Sequence, residues 1–227
     1  MDKMQKPFEE LKGILQYLEA LGISYLPHTP ELEFLFQKKS PLTEGTILAL
    51  QERIKACREC SLHRIRKGPI LGEYRDALKL MLVGDYPCEE DEYHGYPFSG
   101  TVGEILQKML FSIGLRKEDF YCTLVVKCKP AVGKVPEEED ISACKRYLLK
   151  EIKLLKPKLI LAMGFLSPKA FIDKPVPFNN LRGNPFPYRE SMIIFTYHPS
   201  YLLKNPSVKR LLWEDLKLFR GLYEKVI

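Results

Sequence analysis

Four of the six cysteines are spaced as two separated pairs of thiol ligands. Cys57 and Cys60 form a C-x2-C pair, and Cys128 and Cys144 form a C-x15-C pair. A C-x2-C segment in a tight turn presents two thiolates to one inorganic centre. Four thiolates suit either zinc or an iron-sulfur cluster, and the number of ligands alone does not separate the two. The sequence therefore predicts an inorganic centre of one of these two kinds.

A second stretch with residues suited to chemistry covers residues 80–103, LMLVGDYPCEEDEYHGYPFSGTVG. A short apolar run ends at Gly84, an acidic loop with glycine and proline follows, and helical apolar spacing resumes near Thr101. This pattern predicts a buried strand, a long loop and a helix. In open α/β sheets, ligands bind in the crevice beyond the carboxyl ends of the strands. The loop is therefore the first candidate for a binding or catalytic site.

The elements that position these residues alternate between strands and helices. Apolar runs of strand length span residues 80–83, 121–126, 159–163 and 192–196. Helical patterns span residues 43–57, 102–113, 137–155, 168–172 and 208–223. Nearly continuous apolar strands that alternate with helices indicate a parallel sheet covered on both faces. We therefore predict an α/β fold, a three-layer sandwich with a central, mostly parallel four-stranded sheet flanked by helices.

The chain is predicted to divide into an N-terminal helical appendage, residues 1–42, and a main domain, residues 43–227. The appendage is expected to cover one edge of the core, with contact to another protein as the alternative. With 227 residues and 45% hydrophobic content, the chain is long enough to bury a sizeable core. The charged N-terminus lacks the apolar core of a signal peptide, and no apolar stretch is long enough to cross a membrane. These features predict a cytoplasmic protein.

A histidine follows the fourth predicted strand, in the segment TYHPSYLLKNP. An isolated histidine is more often a structural residue, but His198 lies at a strand end and precedes an apolar tip flanked by Lys204 and Lys209. The formal net charge of +6 permits a polyanionic partner without requiring one. His198 is therefore a candidate site residue at the same edge of the sheet as the acidic loop.

Several sequence blocks occur in an order that resembles the family 4 uracil-DNA glycosylases, the iron-sulfur branch of the uracil-DNA glycosylase superfamily. The blocks are CRECSLHR, LMLVGDYP, GYPFSGTVGEIL, LVVKCKP, LAMG, LRGNP and TYHPSYLLKNP. The resemblance runs from about Cys57 to the C-terminus. It implies a uracil-DNA glycosylase-like fold and a structural 4Fe-4S cluster near the DNA-binding face. The cluster ligands that it implies are Cys57, Cys60, Cys128 and Cys144.

The resemblance also implies roles for the residues of the crevice. A glycosylase turns the damaged nucleotide out of the DNA, and an apolar wedge fills the vacated space. His198 is implied to donate a hydrogen bond to the pyrimidine O2, and Phe98 to stack on the base. Asp91 and Asp85 are implied as the catalytic carboxylates that orient water or stabilise the sugar. The implied DNA-binding residues are Ser200, Tyr201, Leu202, Leu203 and Lys204.

Several positions in the crevice depart from the family pattern. The family reads uracil with an asparagine four positions before the third cysteine, where this chain has Leu124. Leucine offers no hydrogen bond, so we expect altered base discrimination. Tyr86 replaces a small residue beside Pro87 and is expected to narrow the pocket or to supply a hydroxyl, while Asp85 and Asp91 replace glutamates. The predicted substrate-binding residues are Phe98, Gly84, Tyr86, Pro87 and Leu124.

The leading hypothesis is a monofunctional DNA base-excision repair glycosylase that removes uracil or another deaminated base from single- or double-stranded DNA. The alternative is a catalytically weak or inactive protein that binds DNA or a lesion on the same iron-sulfur scaffold. A zinc-stabilised nucleotide-binding module unrelated to repair is a remote third hypothesis. The sequence leaves the preferred base and the oligomeric state open.

Overall fold

The computed structural model describes residues 46–73 and 79–226. The predicted appendage, residues 1–42, lies outside the described residues, so the division into an appendage and a main domain stays a prediction. Within the described ranges, no helix is long and apolar enough to cross a membrane.

The described residues contain one sheet of five strands. The strands are β1 (Leu80–Gly84), β2 (Phe120–Leu124), β3 (Leu159–Met163), β4 (Pro185–Tyr188) and β5 (Ser191–Thr196). Their order across the sheet is β2-β1-β3-β5-β4. β1, β2, β3 and β5 pair in parallel, and almost every residue in them is buried. Such continuously apolar strands are typical of a parallel sheet covered on both faces.

The sheet has one strand more than the four that the sequence predicts. β4 pairs antiparallel with β5 at the edge, with Pro185 opposite Ile194 and Pro187 opposite Met192. Its residues are half-buried or exposed. Proline donates no backbone hydrogen bond and is therefore confined to edge strands within sheets. The segment PFPY looks like a loop in sequence for this reason, and its pairing with β5 corrects the predicted strand number.

Helices surround the sheet. They are α1 (Ile47–Lys55), α2 (Glu89–His94), α3 (Gly100–Phe111), α4 (Glu138–Leu155), α5 (Ser167–Phe171), α6 (Phe178–Leu181), α7 (Pro199–Lys204) and α8 (Lys209–Val226). Short 3-10 turns span Ser61–Arg64, Lys117–Asp119 and Pro206–Val208. The predicted helices correspond to α1, α3, α4, α5 and α8. The other three, α2, α6 and α7, are not predicted; each spans at most six residues.

The helices form two outer layers because successive side chains of a strand point to opposite faces. On one face, α1 and α4 pack against Met81, Val83 and Ile160 in a core that also contains the four predicted ligand cysteines, here called the thiol-side core. On the other face, α3 and α8 pack against Leu82 in a core that also contains Phe98, here called the Phe98-side core. The sheet separates the two cores, which confirms the predicted three-layer α/β sandwich.

The parallel strands bring their carboxyl ends to one edge of the sheet. Gly84 at the end of β1 lies opposite Leu124 at the end of β2. Asp85 follows the end of β1, Phe165 follows the end of β3, and His198 follows the end of β5. This edge is the predicted crevice, and the fold therefore collects residues that are distant in sequence.

Candidate active site

Phe98 and His198 meet at the crevice. Phe98 comes from the loop after β1, and His198 follows β5. Their rings stack with centroids 5.6 Å apart and with planes inclined by 25°. Phe98 is only 2% exposed, whereas His198 is half-buried. The structure thus brings into contact two of the residues that the resemblance implies.

The contacts of His198 determine which ring nitrogen carries the proton. The backbone N–H of Ser200 donates to Nδ1 at 3.3 Å, and the Ser200 hydroxyl lies 2.8 Å from the same nitrogen. Because Nδ1 accepts from the backbone, the proton of the neutral ring lies on Nε2. Burial lowers the pKa of His198 to about 4, although the Asp91 carboxylate opposes this shift. The ring is therefore neutral at pH 7 and offers Nε2–H as a donor.

Two sets of contacts hold the loop that carries Phe98. Phe98 has a φ of 55°, a left-handed conformation that is unfavourable for a bulky residue. Lys117 Nζ donates to the carbonyl oxygens of Pro97 at 2.9 Å and of Phe98 at 3.3 Å. Asp91 accepts from the backbone N–H of Ser99 at 2.8 Å and from its hydroxyl at 3.0 Å. The backbone on both sides of the ring is therefore fixed.

The two predicted catalytic carboxylates have different surroundings. Asp91 is buried, and its other oxygen accepts from the N–H of Cys88 at 2.9 Å, so both of its oxygens are engaged. Asp85 Oδ1 accepts from the N–H groups of Leu166 and Ser167, each at 2.9 Å. Burial raises the pKa of Asp85 to about 7, against the opposing effect of these hydrogen bonds. Asp85 therefore changes its protonation state near neutral pH.

Gly84, Leu124 and Phe98 pack against one another and form one wall at the carboxyl edge of the sheet. A β-carbon added at Gly84 would lie 2.7 Å from the Phe98 ring and 2.8 Å from the Leu124 side chain, so a side chain does not fit there. Leu124 is 1% exposed and packs in the Phe98-side core. The position at which the resemblance implies an asparagine therefore adjoins the Phe98 ring.

The backbone at this wall is also engaged. The N–H groups of Val125 and Val126 donate to carbonyl oxygens at the end of β1, at 2.8 Å and 3.0 Å. The Leu124 carbonyl oxygen accepts from Lys127 Nζ at 2.7 Å. The end of β2 therefore places an apolar side chain beside Phe98, and these two backbone donors are already used.

The opposite face of β2 carries a buried ion pair. Lys127 Nζ lies 2.8 Å from a carboxylate oxygen of Glu151, and the two side chains are 1% and 0% exposed. Glu151 also accepts from the hydroxyls of Tyr121 at 3.0 Å and of Thr123 at 2.9 Å. A buried charge pair is tolerated when further hydrogen bonds satisfy the remaining sites. This network ties the end of β2 to helix α4.

The four predicted ligand cysteines come together on the thiol side of the sheet. Cys57 and Cys60 follow α1, Cys128 follows β2, and Cys144 lies on α4. Burial raises the pKa of Cys144 to about 12, and the neighbouring Cys128 and Cys60 add to this shift. Burial also raises the pKa of Cys128, which the nearby Cys57 raises further. Each of the four thiols therefore lies close to at least one of the others.

Sequence reasoning missed a cation beside these thiols. Arg66 donates to Cys128 Sγ at 2.9 Å and to the carbonyl oxygen of Cys57, also at 2.9 Å. All six cysteines are free. In the part of the chain that the structure describes, no three His, Cys, Asp or Glu side chains are arranged around a single metal ion.

Tyr86 and Pro87 lie in the segment between β1 and α2. Tyr86 packs against the thiol-side core, and both residues line a separate cavity of about 400 Å³ together with Lys129, Lys134 and Lys204. The expectation that Tyr86 narrows the base pocket or supplies a hydroxyl to it stays a prediction. The lysines make this second cavity a cationic one.

Helix α7 carries the predicted DNA-binding residues directly after His198. They are Ser200, Tyr201, Leu202, Leu203 and Lys204. Tyr201 is half-buried and stacks on Tyr197, with ring centroids 5.3 Å apart. Leu203 and Lys204 are exposed. The tip of the predicted wedge is therefore on the surface, one short helix away from the imidazole.

Comparisons with known proteins identify the family of this chain. The family model of the uracil DNA glycosylase superfamily matches residues 71–217. The type-4 uracil-DNA glycosylase of Thermotoga maritima is 36% identical over 180 residues, which cover 78% of this chain and 94% of that protein. The type-4 uracil-DNA glycosylase of Pyrobaculum aerophilum is 34% identical, with 76% of this chain and 92% of that protein covered.

A third relative extends the agreement. The type-4 uracil-DNA glycosylase of Sulfurisphaera tokodaii is 35% identical over 182 residues, which cover 76% of this chain and 83% of that protein. The matched family segment begins before β1 and ends in α8, so it contains every strand of the sheet. The chain therefore belongs to the uracil-DNA glycosylase superfamily and, within it, to the type-4 uracil-DNA glycosylases.

Proposed function

We propose that this protein is a DNA base-excision repair glycosylase, which hydrolyses the N-glycosidic bond of uracil or another deaminated base turned out of DNA. The contact between Phe98 and His198 at the carboxyl edge of the sheet carries this proposal. An aromatic ring to stack on and a neutral donor beside it are what a pyrimidine leaving group requires. A cytoplasmic location is part of the same proposal.

Entry of a base requires the imidazole to move. The rings of Phe98 and His198 are 5.6 Å apart, whereas a base between them would need about twice the ~3.4 Å spacing of stacked bases. We assign the face of Phe98 now covered by His198 to the base. The imidazole then lies at the edge of the base, where Nε2–H reaches the pyrimidine O2.

His198 acts as an electrostatic catalyst in this scheme. Cleavage of the glycosidic bond leaves negative charge on the departing base, and the Nε2–H donor stabilises the charge as it grows on O2. A neutral ring supplies this hydrogen bond without first having to gain a proton. Ser200 holds the opposite nitrogen as an acceptor and so keeps Nε2 protonated.

The carboxylates divide between positioning and chemistry. Asp91 uses both oxygens to hold Ser99 and Cys88, which supports a positioning role for it. Asp85 has a raised pKa and lies in the segment that follows β1, which supports a role in orienting the attacking water or stabilising the sugar cation. Activity that depends on its ionised form is lost when the pH falls below about 7.

Base selectivity is expected to be weak on the side of Leu124. The Leu124 side chain offers no hydrogen bond to the N3 and O4 edge of uracil, and the N–H groups of Val125 and Val126 are already engaged. A site that satisfies such an edge with hydrogen bonds discriminates by factors of about 10^4 to 10^5. We therefore propose that this protein tolerates more than one deaminated base.

Four thiols are proposed to hold a 4Fe-4S cluster. The ligands are Cys57, Cys60, Cys128 and Cys144. All four cysteines pack in or against the thiol-side core, and the type-4 uracil-DNA glycosylases to which the chain belongs support an iron-sulfur cluster there. Arg66 would offset part of the negative charge of the ligands. Such a cluster would join α1, the end of β2 and α4 without taking part in the reaction.

Base release tests the proposed function. Anaerobically purified protein is incubated with single- and double-stranded oligonucleotides that contain uracil, hypoxanthine or xanthine, and the free base is measured. We expect release of at least one of these bases. Salt-sensitive DNA binding with no release of any base would overturn the proposal in favour of a binding protein. Iron and acid-labile sulfide analysis tests the cluster, and zinc without sulfide would contradict it.

A further inference from the structure

An exposed aromatic ring lies at the carboxyl edge of the sheet, beside the candidate active site. Phe165 follows the end of β3 and is 45% exposed. Its ring contacts those of Phe178 and Tyr201, with centroids 4.7 Å and 5.1 Å away. A ring that two neighbours support and that is still open to solvent is a surface on which another flat group can stack.

Phe165 borders a cavity of about 440 Å³. Its apolar wall includes Phe165, Ile172, Val176, Phe178 and Leu181. Its charged lining residues are three lysines and two acids, namely Lys145, Lys169, Lys174, Glu138 and Asp173, so the lysines are in excess by one. A cavity of this size accommodates a small organic group. The combination of aromatic faces and ammonium groups suits a ligand that is both flat and anionic.

The lysines keep an excess of positive charge at this cavity. Lys169 pairs with Glu138 at 2.6 Å, and Lys145 lies 3.7 Å from Asp173. These exposed pairs are weak, so an incoming phosphate can compete for the lysines. Lys174 has no ion-pair partner among the residues that the structure describes. The cavity therefore retains at least one cation for an anionic ligand.

The cavity adjoins the candidate active site through two contacts. Leu166, the neighbour of Phe165, donates its backbone N–H to Asp85. Tyr201, whose ring contacts Phe165, lies on α7, the helix that His198 precedes. The exposed ring therefore lies between the loop that carries Asp85 and the helix of the predicted wedge.

We propose that Phe165, Phe178 and Lys174 form a second nucleobase subsite, which binds an unpaired base next to the flipped nucleotide. This inference rests on the proposed glycosylase function. The base stacks on Phe165, and its phosphate contacts Lys174. Every base has a π face, so stacking of this kind is tolerant of sequence. In a duplex the neighbouring base is already paired, so the subsite favours single-stranded or locally unpaired DNA.

A nucleobase suits this cavity better than an apolar peptide does. The rings are continuous with a site that acts on DNA, and the surrounding lysines suit a phosphate backbone. A peptide that inserted only apolar side chains would offer nothing to Lys174, which has no ion-pair partner among the described residues. Single-stranded DNA is therefore the class of ligand that the geometry favours.

Binding of a uracil-free, labelled single strand tests the subsite independently of catalysis. Fluorescence anisotropy is compared for wild type, Phe165→Ala and Phe165→Trp, with Phe111→Ala as control because Phe111 is 75% exposed at the end of α3. We expect about tenfold weaker binding for Phe165→Ala. Phe165→Trp should bind as wild type does, and Phe111→Ala should not differ. Melting temperatures check that the variants are folded.

Salt dependence separates the ring from the cation. Lys174→Ala should reduce the slope of log affinity against log salt by about 0.7, whereas Phe165→Ala should leave the slope unchanged. Unchanged affinity and slope in both variants would overturn the subsite and would leave the exposed rings to a protein partner.

Cleavage assays distinguish failure of the subsite from failure of the proposed function. On a long single-stranded uracil substrate, Phe165→Ala should raise KM about tenfold and leave kcat unchanged. On a uracil trinucleotide too short to fill both sites, it should behave almost as wild type does. If wild type cleaves and Phe165→Ala matches it on both substrates, the subsite is wrong. If no protein cleaves but Phe165→Ala still loses affinity, the subsite stands and the glycosylase proposal fails.

Discussion

The two faces of strand β2 differ in character near its carboxyl end. The face that meets α4 is polar and fully paired, with Thr123, Lys127 and Glu151 joined by hydrogen bonds. The face that meets Phe98 is apolar, with Leu124 packed in the Phe98-side core. Thr123 and Leu124 are adjacent in sequence, so a single step along the strand separates the two environments.

We infer from this difference that the fold and base recognition depend on separate side chains of one strand. Side chains on the α4 face hold the strand end and adjoin the thiols, so a change there disturbs the structure. Side chains on the Phe98 face adjoin Phe98, so we expect a change there to alter base recognition. We expect the leucine at position 124 to be such a change.

Removing the buried carboxylate on the α4 face of β2 should have the largest effect on the stability of the protein. Glu151→Ala leaves the Lys127 ammonium buried without its partner, and we expect the free energy of unfolding to fall by about 3–5 kcal/mol. Urea denaturation measures this change. The control is Glu224→Ala, which removes an exposed ion pair with Arg220 and should cost at most about 1 kcal/mol. Equal losses in the two variants would show that the buried pair has no special role.

Removing the imidazole beside Phe98 should reduce activity without changing the stability of the fold. His198→Ala is expected to lower kcat by about 10²–10³, because the hydrogen bond to the leaving base is lost. The melting temperature and the iron content should stay as in wild type. His94→Ala is a matched control, since His94 is exposed on helix α2. Full activity in His198→Ala would mean that another residue stabilises the departing base.

Restoring a polar group on the Phe98 face should improve the recognition of uracil. Leu124→Asn supplies a donor and an acceptor beside Phe98, and we expect kcat/KM for uracil to rise at least about tenfold. Activity on hypoxanthine should not rise with it. Leu124→Met keeps the volume and adds no hydrogen bond, so it serves as control. The proposed role of this position fails if asparagine and methionine have the same effect.

The pH profile should show the smallest effect. If ionised Asp85 assists the reaction, activity rises from about pH 6 to pH 8, because burial raises the pKa of this carboxyl to about 7. His198, with a pKa of about 4, stays neutral over this range and adds no second transition to the pH profile. Asp85→Asn should abolish the rise. A flat profile in wild type would assign Asp85 to holding the N–H groups of Leu166 and Ser167 alone.

The sequence predicts the parallel strands and the long helices because both depend on local apolar periodicity. It also predicts the four thiols, whose spacing is visible without coordinates. β4 is not predicted, because Pro185 and Pro187 are typical of loops and only pairing with β5 reveals the strand. The position of Tyr86 is likewise not predicted, because the turn after β1 decides which face of the sheet it meets.

The contacts that hold Phe98 are invisible in sequence for another reason. Lys117 lies in a short turn before β2, 19 positions after Phe98, and no periodic pattern links the two. Arg66 is in the same situation, because its partner Cys128 is 62 positions away. Ion pairs and hydrogen bonds between distant segments depend on the completed fold, whereas helices and strands depend on neighbours in the chain.

Helix α7 links two events that a repair enzyme has to coordinate. His198 caps the helix, and Leu203 lies little more than one turn further on. A shift of α7 would therefore move both residues together. While the protein scans undamaged DNA, we expect the imidazole to rest on Phe98 and to block the place of a base. If Leu203 enters the DNA, we expect α7 to shift and the imidazole to leave Phe98, so that cleavage follows the turning out of the base.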